Sequence, residues 1–286
     1  SIRNGRSAIF ADCGLGKTPI QLVWAENIKR HTNKRVLILT PLSVSSQTVR
    51  EAHKFGIEAR QSRDGVLNDC AEIVVTNYEK LHLFNSTDFS GCVCDESSIL
   101  KNFDGVIKDN ITDFMRKMEF RLLCTATASP NDYIELGTSS EALGHLGHMD
   151  MLSKYFTNKE NTLRPMDIGS KWNLKPHAKD AFFRWVNSWS ISVKKPSDIG
   201  FSDDRYVLPE LIKNIHTVKN ENNLVINGQI LMFNDNAKSM TEVREEQKVT
   251  IEKRCEKAVA LASGKVSVYW TNFNRESELL NELDND

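Results

Sequence analysis

The chain has 286 residues, 40% hydrophobic and 26% charged, with a net charge of −1 at pH 7. That balance fits an ordinary globular protein with room for one large domain or two modest ones. No apolar run approaches membrane-spanning length and no secretory leader is visible. The near-zero charge gives no support to nucleic-acid binding through bulk basicity, leaving only a local basic groove. Six cysteines lie scattered at positions 13, 70, 92, 94, 124 and 255. Several sit in apolar runs without zinc-site spacing, so reduced thiols and a cytoplasmic setting are expected.

Ala8-Ile9-Phe10 reads as a buried strand, and Pro19-Ile20-Gln21-Leu22-Val23-Trp24-Ala25-Glu26 as a helix. Between them stands Ala11-Asp12-Cys13-Gly14-Leu15-Gly16-Lys17-Thr18. Strand, glycine turn, Lys-Thr and helix make a phosphate-binding loop. Gly14 and Gly16 let the backbone turn its amides toward phosphate oxygens, and the helix N-terminus adds positive potential there. Lys17 supplies charge for the β- and γ-phosphates, and the Thr18 hydroxyl is placed for Mg²⁺. Ala11 stands where the strict pattern has its first glycine. The bland reading of this stretch is a tight strand–helix turn that binds nothing.

Val36-Leu37-Ile38-Leu39-Thr40, ending at Pro41, is apolar throughout, as in a parallel strand buried on both faces. Ser43 or Ser45 is positioned to cap a helix running toward Phe55. Ile73-Val74-Val75-Thr76, Cys92-Val93-Cys94-Asp95 and Phe120-Arg121-Leu122-Leu123-Cys124-Thr125 read as further strands with helices between them. Such alternation means an α/β fold with a parallel sheet. From about 144 to 175 periodicity is poor, and an irregular insertion is expected. Residues 176 to 189 read as an aromatic-rich helix facing the core, and 192 to 209 as a connector. Beyond it, a strand is expected at Leu211 to Val218, a long charged helix at Glu242 to Ser263, a strand at Val266 to Trp270 and a helix at Arg275 to Leu283. A second sheet begins near residue 210 on this reading.

A phosphate loop needs a metal-organising carboxylate. Asp95-Glu96-Ser97-Ser98 lies at a strand end, where ligands gather in open α/β sheets. Asp95 would hold Mg²⁺ through water, and Glu96 would polarise the attacking water. An exposed acidic turn is the alternative. At the next strand end, Thr125-Ala126-Thr127 could relay between nucleotide and a second ligand, with Ser129 or Asn131 capping the following helix.

In order, these motifs resemble those of superfamily 2 helicases and translocases, and in detail the Swi/Snf-like branch with its phage- and prophage-encoded members. Gly14-Leu15-Gly16-Lys17-Thr18 resembles motif I, Thr40-Pro41-Leu42-Ser43-Val44 motif Ia and Thr76-Asn77-Tyr78-Glu79 motif Ib. Asp95-Glu96-Ser97-Ser98 is similar to motif II, though many relatives carry Ala-His or a related pair in place of Ser-Ser. Thr125-Ala126-Thr127 is similar to motif III, Val268 to Asn272 with Arg275-Glu276-Ser277 to motif IV, and Val193 to Asp198 with Leu208-Pro209 to the connector between lobes.

The resemblance implies a RecA-like ATP-binding lobe over 1–209, with a central parallel sheet flanked by helices, and the beginning of a second such lobe over 210–286. It implies Mg-ATP on the loop, with Lys17 and Glu96 in hydrolysis and Thr18 and Asp95 on the metal. It also implies nucleic acid, in this branch duplex DNA, crossing Pro41, Leu42, Ser43, Thr76, Asn77 and Tyr78, with Thr125, Ala126 and Thr127 coupling the two sites. The adenine-reading glutamine segment, motifs V and VI and their catalytic arginine have no counterpart in the 286 residues, and Arg275 reads as a surface helix residue. The chain is therefore expected to be a fragment, inactive in hydrolysis by itself. Two rival readings are a small-molecule phosphotransferase using the same loop and a non-hydrolysing nucleotide- or DNA-binding module.

Overall fold

In the computed structural model the described residues are 2–101, 105–129, 131–158, 172–204, 206–218, 225–226, 229–230 and 240–284. The backbone divides into two compact units, Ser1–Leu208 and Pro209–Asp286.

The first unit is built on a seven-stranded sheet. In chain order its elements are β1 (Arg6–Ala11), α1 (Lys17–Thr32), β2 (Arg35–Thr40), α2 (Ser45–Lys54), β3 (Ala59–Gln61), β4 (Ile73–Asn77), β5 (Phe89–Asp95), α3 (Val106–Arg116), β6 (Phe120–Thr125), α4 (Leu136–Leu143) and α5 (His148–Tyr155). There follow β7 (Phe156–Asn158), β8 (Trp172–Leu174), α6 (Lys179–Trp189) and β9 (Ser190–Val193). The main sheet runs β3-β4-β2-β5-β6-β1-β9, every neighbouring pair parallel.

The sheet's central strands are apolar throughout because both faces are covered, as the continuous hydrophobic runs require. Leu37, Leu39, Cys92 and Cys94 join one core with Ile111, Met115, Phe182 and Trp189. Val36, Ile38 and Val93 join the opposite core with Leu22, Trp24, Ala25 and Ile28 of α1. Phe10 meets Trp189 edge-on at 6.1 Å, so the aromatic face of α6 is core packing. Each such large side chain, fully buried, contributes roughly 1.5–3 kcal/mol.

Several expectations differ from the structure. Residues 192–193, expected in the connector, belong to β9, which pairs with β1 from Ala8↔Ser190 to Ala11↔Val193. Four residues are too short a run to show periodicity; only a neighbouring strand makes them a strand. The irregular stretch holds α5 and the antiparallel pair β7–β8, while 159–171 lie outside the described residues. Val44, not a serine, occupies the N-cap position of α2, and Ser45 Oγ instead hydrogen-bonds Thr40 Oγ1 at 2.7 Å. Asp132 accepts from the amide of Ile134, making it the cap expected of Ser129 or Asn131.

In the second unit α7 (Met240–Val249) and α8 (Ile251–Ala262) replace the single long helix, parted at Thr250, whose hydroxyl donates to Glu246 O at 3.0 Å. The unit also contains the short antiparallel pair β10 (Val225–Ile226) and β11 (Gln229–Ile230), and α9 (Asn274–Leu283). Ile251, Cys255 and Leu280 form the core of α8 and α9. Residues 211–218 and 266–270, expected as strands, pair with no strand among the described residues, and Val266 and Trp270 are 108% and 95% exposed. An extended run becomes a strand only when a neighbour completes its ladder.

Candidate nucleotide site

Parallel register brings the ends of the strands together. Phe10 stands beside Thr125, Ala11 beside Val193, Asp95 beside Cys124, Leu39 beside Cys94 and Thr40 beside Asn77. The expected phosphate loop, acid pair and Thr-Ala-Thr stretch therefore share the carboxyl edge of one sheet, the ligand edge of open α/β folds.

The loop leaves β1 and turns directly into α1. Gly14 and Gly16 have φ of 80° and 73°, the left-handed region that favours glycine. A Cβ on Gly14 would meet nothing within 4 Å, so this residue serves the turn itself. Gly16 is the N-cap of α1 and has no side chain to satisfy the first-turn amides. Those amides lack carbonyls four residues back and are free to meet an anion. Lys17 Nζ donates to the carbonyls of Ala11 at 3.0 Å and Asp12 at 3.3 Å, so it lies over the loop. Leu15, Lys17 and Thr18 are half-buried.

Asp95 is the last residue of β5 and is buried. Burial pushes its carboxyl above the ordinary carboxylate range, while donation from Gln21 and the nearby Lys17 charge work against that shift. Gln21 Nε2 donates to Asp95 Oδ1 at 2.5 Å, and Tyr78 donates its hydroxyl to the Asp95 carbonyl. Glu96 turns the chain at φ 47°, a left-handed conformation uncommon for a non-glycine residue, and places its carboxylate where Thr125 Oγ1 donates at 3.3 Å. Thr125 in turn accepts from the Thr127 amide at 3.1 Å. Sheet edge, acid pair and threonines thus form one hydrogen-bonded series.

The expected nucleic-acid residues divide. Leu42 is 65% exposed, Ser43 is exposed and Pro41 half-buried. Thr76, Asn77 and Tyr78 are buried. Tyr78 is turned inward by its bond to Asp95, and its hydroxyl is held well above the usual phenol range by burial. Ala126 is half-buried and Thr127 exposed.

Gln21 is the residue the sequence reading passed over. It lies in α1 on the buried stripe with Ala25 and Ile28, and a polar side chain on an apolar stripe must find a partner. That mismatch was the available signal.

Magnesium bound with a nucleotide keeps waters and takes one or two carboxylates plus phosphate oxygens. Asp95 and Thr18 suit that role. Among the described residues no group of three or more His, Cys, Asp or Glu could hold a metal ion alone. The site fits a cation shared with phosphates.

A seven-stranded parallel sheet with a phosphate loop and acid pair on its carboxyl edge is the architecture of a RecA-like α/β lobe. The chain is 28% identical over 198 residues, 64% of its length, to the "Uncharacterized ATP-dependent helicase YqhH" of Bacillus subtilis (strain 168). It spans 35% of that relative's length. In fold it matches the Sulfolobus solfataricus SWI2/SNF2 ATPase core in complex with dsDNA, with TM-score 0.53, 18% identity, and coverage of 71% of this chain and 43% of the other. The UvsW helicase of bacteriophage T4 gives TM-score 0.37 at 13% identity over 51% of this chain and 55% of the other, too slight to define a fold. No family model matches the chain. No helix among the described residues is long and apolar enough to cross a membrane.

Proposed function

We propose that this chain is part of an ATP-dependent nucleic-acid translocase or helicase, with duplex DNA as its track. The observation that carries the reading is the convergence of Gly14–Thr18, Asp95–Glu96 and Thr125 on one sheet edge, with Gln21 tying α1 to Asp95. In sequence the support is the ATP-dependent helicase relative. For duplex DNA it is the fold neighbour, which was solved on dsDNA. The lobes 1–209 and 210–286 remain part of this proposal.

The loop amides and Lys17 would bind the triphosphate tail, and Thr18 and Asp95 would hold a magnesium ion, which would supply charge against that of the phosphates. Glu96 accepts the proton of the attacking water and is kept in place by Thr125. Because Thr125 also accepts from the Thr127 amide, a shift at the acid pair reaches the exposed Thr127 and whatever it touches. The exposed Leu42 and Ser43 lie at the track, where the Ser43 hydroxyl and the local backbone amides reach phosphates, a contact without sequence information.

Titration of a fluorescent ATP analogue against the protein and its Lys17→Ala variant tests the reading. Loss of a charge-assisted contact worth about 1.5–3 kcal/mol is expected. Equal affinities remove the phosphate-loop assignment. A phosphotransferase would respond to a metabolite and not to duplex DNA in the same assay.

A further inference from the structure

At the ends of β1, β6 and β9 lies a cavity of about 520 Å³, within the size range of small-ligand sites. Thr127 and Ser129, from the segment after β6, line it together with Tyr133, Ser192 and Lys194, and Asp12 of the phosphate loop borders it too. Tyr133 is 47% exposed, yet its ring is held by the core. Phe183 meets that ring edge-on at 5.4 Å, and the buried Phe182 lies tilted to it at 6.2 Å. Asp132 caps the turn that begins at Tyr133 by accepting from the Ile134 amide at 3.3 Å. A ring already fixed in place loses little freedom when a ligand stacks on it.

We propose that this cavity takes an unpaired base of the DNA track, stacked on Tyr133, with a neighbouring phosphate on Lys194. The proposal rests on the nucleic-acid reading and adds the strand state that the first unit recognises. A base inside a duplex keeps both faces against its neighbours, so a side-chain ring reaches it only once it leaves the stack. Stacking on an aromatic ring suits every base, because every base has a π-face. The hydroxyls of Thr127, Ser129 and Ser192 each donate and accept, so they meet the polar edge of any base. Lys194 is exposed and brings the positive charge that a phosphate requires. The Asp12 carboxylate, which would repel that phosphate, is engaged by the Cys13 amide at 2.7 Å. Occupancy also has a route to hydrolysis. Thr127 lines the cavity, its amide donates to Thr125 Oγ1 at 3.1 Å, and Thr125 donates to Glu96 Oε2 at 3.3 Å. A base seated against Thr127 therefore bears on the carboxylate proposed to take the water's proton.

The test compares two DNAs of equal length by fluorescence anisotropy, one fully paired and one with a short single-stranded gap. The gapped DNA is expected to bind about tenfold more tightly, the worth of one stacked base. 2-Aminopurine placed in the gap is quenched as the protein binds. Tyr133→Ala removes both the preference and the quenching and leaves the paired duplex bound as before, while Tyr133→Trp keeps both. The two variants bind a fluorescent ATP analogue like the parent, which a misfolded unit could not do. Lys194→Ala lowers the salt slope for the gapped DNA by about one, and an unchanged slope overturns the phosphate contact. Equal binding of the two DNAs, or a preference that survives Tyr133→Ala, overturns the base site and leaves the motor reading standing. Failure of both DNAs to bind overturns the track itself, so the two readings fail separately.

Discussion

Gln21 Nε2 donates to Asp95 Oδ1 at 2.5 Å between two buried side chains, one on the helix that follows the phosphate loop and one at the end of the central strand β5. The Tyr78 hydroxyl donates to the Asp95 backbone carbonyl. The proposed metal carboxylate is thus fixed by its side chain from α1 and by its backbone from the residue after β4. Burial alone opposes a charged carboxylate there, and a donor offsets part of that cost.

Gln21→Leu keeps the size and apolar fit of the side chain while removing the donor. A hydrogen bond to a charged group is worth about 1.5–3 kcal/mol, so the Mg²⁺-dependent gain in nucleotide affinity should fall by tenfold or more. Binding in the presence of a chelator should hardly change. Nucleotide titrations with and without Mg²⁺ measure both, and an undiminished Mg²⁺ gain would show that Asp95 needs no partner.

Glu96→Gln should leave Mg-ATP binding near the parent value and stop hydrolysis by the assembled motor. Glutamine matches the shape and still accepts from Thr125, but it cannot take the proton from water. General bases contribute about 10²–10⁴ in rate. Single-turnover phosphate release decides the matter; unchanged turnover moves the base elsewhere.

Binding to DNA should be weak, indifferent to sequence and weakened by salt, because the proposed contacts are to phosphates and the chain's net charge of −1 adds no bulk attraction. Fluorescence anisotropy on two unrelated duplexes at two salt concentrations is sufficient. A marked preference for either duplex contradicts a motor that holds phosphates.

Glu72, next to β4, accepts from Arg60 Nε at 3.0 Å and Nη2 at 2.9 Å and from the Asn68 amide at 3.0 Å. Burial raises its carboxyl, but donation from Arg60 and Asn68 prevails and holds it below the usual range. A carboxyl depressed in the folded state adds stability above its unfolded value, and that stability is lost as pH falls through the lower folded value. Glu72→Gln should therefore cost about 1 kcal/mol near neutrality, reduced from a buried pair because Arg60 is partly exposed. The cost should vanish in acid. Denaturant melts at neutral and acid pH test this, and a cost that persists in acid assigns the effect to packing.

Gly14 to Thr18, the apolar strands and Asp95-Glu96 were legible in the sequence because each is local: glycines at a turn, a Lys-Thr at a helix start, an unbroken hydrophobic run, acids at its end. From them follow the α/β fold with a parallel sheet, the carboxyl-edge placement and the resemblance to helicases. What needed the tertiary structure depends on neighbours distant in the chain. β9 is a strand only because β1 lies beside it, and 266–270 is not one because no strand among the described residues adjoins it. Nothing in the sequence shows that the Tyr78 hydroxyl meets the carbonyl of Asp95, 17 residues away. Gln21 carried no motif at all, and its role exists only because α1 packs on the sheet and brings it to an acid 74 positions later. Sequence spacing fixes what a short stretch can become, whereas burial and partnership are properties of the packed chain.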